Sequence, residues 1–182
     1  MTNLAVPQKK IRIIEPLLIS VVSILAIIYV TNAVNARDFL WFASQLVDAH
    51  PDRIIITDHG EKTLIQPGHV DYLRLSEAAH VALSEFNNTD LINLGFGENT
   101  LSYYETDGIL AEFYYDNPLQ YHAKFRVGEP TQLMVPLNGR HAGHDYFFRG
   151  TKGEWWFGAM RMAHPEQLYS TLAELGYLED SG

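Results

Sequence analysis

Hydrophobic and polar positions along this chain follow three different rhythms. The first is no rhythm at all. Residues 17–30 (LLISVVSILAIIYV) form an unbroken apolar run without a charge, and Thr31 to Val34 extend it to 18 residues. A helix rises about 1.5 Å per residue and a bilayer core is about 30 Å thick, so residues 17–34 are just long enough to span. The second rhythm is helical. In 38–50 (DFLWFASQLVDAH), Phe39, Phe42, Ala43, Leu46 and Val47 recur at one-face spacing before Pro51, which predicts an amphipathic helix. Residues 70–86 predict a second helix, with Leu73, Ala78, Val81 and Ala82 among its apolar positions. Residues 165–175 predict a third, opened by Pro165, carrying Leu168, Leu172 and Leu175 inward and stopped by Gly176.

The third rhythm is alternation, with turn chemistry between the runs. Residues 53–57 (RIIIT) read as a strand, Asp58-His59-Gly60 as its turn, and 62–66 as the return. Pro67-Gly68 and the polar residues 87–90 break the chain. Residues 100–105 and 109–115 flank Thr106-Asp107-Gly108 and predict a hairpin. In 119–127, Leu119, Tyr121, Ala123, Phe125 and Val127 alternate with Gln120, His122, Lys124 and Arg126, the pattern of a strand with one wet face. Strands follow at 131–137, 145–149 and 154–162, with a Gly-rich link at 138–143 and a turn at 150–153. Short turns join antiparallel neighbours. The predicted class is α+β: an N-terminal transmembrane helix, then one antiparallel sheet of about five strands packed by helices.

Charge around the apolar run sets an orientation. Lys9, Lys10 and Arg12 precede it, and Arg37 alone follows closely, which favours a cytoplasmic N-terminus. The chain then divides into a short tail (1–16), a span (17–34) and an extracytoplasmic domain (37–182). A signal peptide fits the same residues, with Val34 and Ala36 as the small residues before a cut at Arg37. The length of the run and the Glu15-Pro16 interruption at its entry favour an uncleaved anchor. Glu15 sits at the positive end of a helix that Pro16 opens. A membrane helix that continues into a helical stalk and then a sheet resembles the type IV pilin layout. The resemblance covers architecture alone, since no Gly-Phe processing site precedes the run, and no residue role carries over.

Composition narrows the partners. Residues 37–182 hold 10 basic and 21 acidic residues, a formal charge of −11, which argues against nucleic-acid binding. The chain has no cysteine, so disulfides and thiol catalysis are excluded. No serine lies in a GxSxG context, and Leu94-Gly95-Phe96-Gly97 lacks the Lys-Ser/Thr of a phosphate loop.

Two features remain as candidate sites. Four adjacent aromatic pairs, Tyr103-Tyr104, Tyr114-Tyr115, Phe147-Phe148 and Trp155-Trp156, place a ring on both faces of any strand that carries them. Trp155, Trp156, Phe147, Phe148, Tyr114 and Tyr115 are the candidates for contact with a protein partner, where buried aromatics dominate interface energy. The segment Arg140-His141-Ala142-Gly143-His144-Asp145 offers two imidazoles and a carboxylate, a set that could hold one divalent metal. The leading expectation is a non-enzymatic subunit or accessory protein of a membrane assembly, without a cofactor. The alternatives are a metal-dependent hydrolase built on His141, His144 and Asp145, or a carrier of a small apolar ligand.

Overall fold

The computed structural model describes residues 13–43, 46–95 and 97–178. The cations Lys9, Lys10 and Arg12, Phe96 and the last four residues lie outside the described residues. Helix α1 (Ile14–Ala36) is followed by β1 (Arg53–Asp58), β2 (Glu61–Ile65), α2 (Tyr72–Leu83), α3 (Glu98–Thr106), β3 (Ile109–Tyr114) and β4 (Gln132–Pro136). Then come β5 (Tyr146–Thr151), β6 (Glu154–Trp155), β7 (Met160–Arg161) and α4 (Glu166–Glu174). The strands form one antiparallel sheet in the order β2-β1-β3-β4-β5-β6, with β7 also paired to β5. The α+β class holds, with two more strands than the sequence pattern indicates.

Two tight hairpins follow from turn chemistry. His59 and Gly60 both take positive φ between β1 and β2, as do Lys152 and Gly153 between β5 and β6. Two left-handed residues in succession match the twist of a hairpin, and Gly takes the second of these positions without strain. The β2 edge is polar, with Glu61 and Lys62 exposed, which discourages pairing with another sheet.

One sheet face carries Ile54, Ile56, Ala111, Phe113, Leu133, Val135 and Phe147, and α2 and α4 cover it. From α2 come Leu75, Ala78, Ala79, Ala82 and Leu83; from α4 come Leu168 and Leu172. Leu73, one of the apolar positions of the predicted helix, points out of α2 and is exposed, because the buried stripe runs one step further round. The other face carries a smaller cluster of Tyr104, Leu110 and Met134, with Trp155 packed on it. Tyr104 arrives there on α3.

Three predicted elements change. Residues 100–105 are helical, within α3, instead of a hairpin strand. β3 pairs with β1 and β4, so no partner edge is left for 100–105, and a helix instead delivers Tyr104 to the second face. Residues 119–127 keep the predicted alternation, with Leu119, Tyr121, Ala123, Phe125 and Val127 buried, yet join no ladder. The segment is an extended strap across the core, held by the Tyr121 hydroxyl donating to Leu83 O (2.6 Å) and by Arg149 donating to Val127 O. The helix predicted at 38–50 is a turn and then an extended stretch, with Ser44 and Gln45 outside the described residues. Arg37 takes a left-handed conformation (φ 56°) and ends α1, and Asp38 Oδ1 accepts from Leu40 N–H (2.8 Å) to set the turn. The pilin-like continuous stalk is therefore absent.

Helix α1 has 23 residues, which gives about 35 Å of length. It is the one helix among the described residues long and apolar enough to cross a membrane. Its side chains are exposed along most of that length, including Leu17, Leu18, Ile19, Ile24, Leu25 and Ile27. Only its last turns are buried, at Ala33 and Ala36.

Candidate functional site

The aromatic pairs separate once folded. Phe147 and Phe148 are fully buried on opposite faces, Phe147 in the main core and Phe148 beside the His141 ring (5.5 Å). Tyr115 is buried too, its hydroxyl directed at Ala49 O (3.4 Å). These three rings serve the interior and offer no surface to a partner. The second face is covered by α3 and by the short 3₁₀ turn Gly139–His141.

Tyr114, Trp155 and Trp156 stay partly exposed. Tyr114 lies under the Arg53 guanidinium (4.3 Å), and its hydroxyl donates to Glu112 Oε1 (3.2 Å). Burial pushes the Tyr114 phenol up to about 12, and burial raises Glu112 as well. Trp156 packs where a Cβ on Gly128 would collide, and it faces the Arg149 guanidinium at 5.8 Å. Arg149 is itself buried and donates to the carbonyls of Val127, Phe157 and Gly158 in place of a carboxylate. Burial lowers it to about 10.

The loop 140–145 does not gather a ligand set. His141 is buried between Tyr104 (6.2 Å) and Phe148, and burial lowers its pKa, with Arg140 and His144 adding to the effect. His144 is exposed beside Tyr146 (5.2 Å), and Asp145 occupies a left-handed turn position (φ 58°). Their donor atoms do not converge within the 4.8 Å that joins the donors of another trio, Asp48, His50 and His80.

The sequence reading missed that second trio because it expected Asp48 and His50 to lie on a helix. In the extended stretch the two residues are two apart and share a side, facing His80 on α2. His50 Nδ1 contacts Asp48 Oδ1 (2.6 Å) and its Nε2 contacts Glu77 Oε2 (3.2 Å). Each ring nitrogen thus faces a carboxylate oxygen, and the Asp48 hydrogen bond raises the His50 pKa and lowers that of Asp48. The His50 and His80 rings stack at 3.9 Å and 9°. Nitrogen lone pairs lie in the ring planes, so two parallel rings cannot aim at one ion. His80 Nδ1 already accepts from Ala49 N–H (3.1 Å). The cluster is an ion-paired clamp between the stretch and α2 and does not fit a metal.

One of several concavities lies where α1 meets the domain. A cleft of about 640 Å³ is lined by Arg37, Asp38, His122, Arg126, Glu129 and Trp156, among others. His122 Nδ1 and Asp38 Oδ2 pair at 2.7 Å, tying the residue after the helix end to the 119–127 strap. Tyr29, within α1, donates its hydroxyl to Phe39 O (3.0 Å) and touches the Phe42 ring (6.1 Å). Tyr29 thus holds the end of the helix to its own turn, and the Asp38–His122 hydrogen bond ties that turn to the domain.

No protein family, curated protein or solved structure matches this chain.

Proposed function

We propose that the chain is a single-pass membrane-anchored domain that serves as a non-enzymatic subunit or accessory protein of a membrane assembly. One observation carries this reading: a long helix with apolar residues exposed on every side is tied at one end to a folded domain. Exposed apolar surface on that scale calls for lipid or protein around it. The junction supports retention of the helix, because a cut before Arg37 would remove the buried Ala33 and Ala36 and the Tyr29 hydrogen bond to Phe39 O. The charge asymmetry of Lys9, Lys10 and Arg12 against Arg37 supports a cytoplasmic N-terminus and an extracytoplasmic domain. Trp155, Trp156 and Tyr114 are the contact candidates that keep an exposed edge. No observation favours the metal-hydrolase or ligand-carrier alternatives.

Native mass spectrometry of full-length protein extracted from membranes in mild detergent tests the reading. The expected result is an intact chain carrying other subunits. A chain found alone, starting at Arg37, would overturn it.

A further inference from the structure

We propose that the turn at 37–42, with Lys124 and Arg126, is a lipid-facing seat that rests the domain on the headgroup layer of the bilayer. This inference rests on the reading of α1 as a membrane span. Three observations support it, and each comes from a different part of the chain.

The first is exposed apolar surface at the helix exit. Phe39 and Phe42 are 74% and 61% exposed, and Leu40 is exposed between them. A surface turn in water has no reason to show two phenylalanines and a leucine together, whereas aromatic rings favour the membrane–water boundary.

The second is depth. The Tyr29 contacts with Phe39 and Phe42 fold the turn back alongside α1. Tyr29 stands seven residues before the helix end at Ala36, about 10 Å along the axis. A spanning α1 therefore carries these rings into the layer that its own last turns occupy. Trp41 lies edge-on to Phe42 (5.8 Å) and completes an aromatic group of the kind found at that boundary.

The third is charge. Residues 37–182 carry 10 cations, and three of them lie at or beside this turn: Arg37 and Arg126 line the cleft at the helix end together with the carboxylates Asp38 and Glu129, and Lys124 stands by Trp41. The alternation of 119–127 turns Lys124 and Arg126 outward while Ala123, Phe125 and Val127 are buried. The Lys124 ammonium lies 5.9 Å from the Trp41 ring. Long cationic side chains above an aromatic turn suit lipid phosphates over a buried apolar layer.

The absence of cysteine from the chain makes the test clean. Single cysteines replace Ile24, Phe42 or Val70 in the full chain and are labelled with a nitroxide. Val70 is 87% exposed and adjoins the start of α2, whereas the end of α2 lies beside the turn. The proteins are placed in vesicles of phosphatidylcholine and phosphatidylglycerol, and collision with oxygen is compared with collision with a water-soluble nickel chelate. The label at residue 42 is expected to be shielded from nickel several-fold more than the label at 70, and the label at 24 more again. Adding Lys124→Glu and Arg126→Glu is expected to raise nickel access at 42 while leaving 24 shielded. Shielding at 24 with open access at 42 would overturn the seat and leave the span standing. Open access at 24 would overturn the span itself. Shielding of 42 in native membranes but not in these vesicles would assign the surface to a protein neighbour and overturn the lipid assignment.

Discussion

His50 and His141 place the same side chain in opposite electrostatic settings. His50 is held between Asp48 and Glu77, so the folded chain binds its proton more tightly than the unfolded chain, whose value is near 6.5. Its contribution to stability is full below that value and is lost as pH rises through the raised folded value. His141 is buried against Tyr104 and Phe148, and its folded value is lowered. Its contribution is full above 6.5 and is lost as pH falls through the lowered folded value. An NMR titration of the imidazole signals is expected to place the His50 midpoint above 6.5 and that of His141 below it. The reverse order would contradict both placements. His50→Gln is expected to flatten the loss of stability on the alkaline side, read by chemical unfolding across pH. The spacing of His141, His144 and Asp145 in sequence suggested a metal loop. The fold buries one imidazole, exposes the other and does not bring their donor atoms together, and none of this is visible in spacing.

At the scale of elements, α3 is where local preference and tertiary context disagree most. Tyr103-Tyr104 has strong β preference, and Thr106-Asp107-Gly108 looks like a hairpin turn. The sheet leaves that segment no partner, and a helix instead sets Tyr104 down on Leu110 and Met134. Gly108 is the consequence: a Cβ there would meet Tyr104 Cδ1 at 2.5 Å and Tyr104 Cα at 2.9 Å. Gly108→Ala is expected to destabilise the fold by about 1–3 kcal/mol, as overpacking against backbone does, measured by thermal or chemical unfolding. A neutral result would place α3 elsewhere. The 119–127 strap shows the opposite relation. Its alternation was legible and its burial follows it residue by residue, but alternation reports which side is wet and not whether a neighbour strand is present. Here Tyr121 and Arg149 anchor the segment in place of a ladder.

For the whole molecule, the question is which surfaces face another component. Trp155 packs on the second core, whereas Trp156 covers Gly128 and Arg149 at the rim of the cleft beside α1. Trp155→Ala is expected to lower folding stability by about 2 kcal/mol by leaving a partial cavity. Trp156→Ala is expected to reduce co-purifying subunits more than it reduces the melting temperature. Loss of folding in both variants, with no selective loss of subunits, would make both rings structural. The sequence by itself determined the apolar helix, the α+β class, the tight turns and the alternation of 119–127, because each is a local property written in composition or period. Only the tertiary structure decided the helical state of α3, the burial of Phe147, Phe148 and Tyr115, and the meeting of Asp48, His50, His80 and Glu77. Each of those depends on a partner distant in the chain, and no local pattern encodes a partner that the fold has yet to bring near.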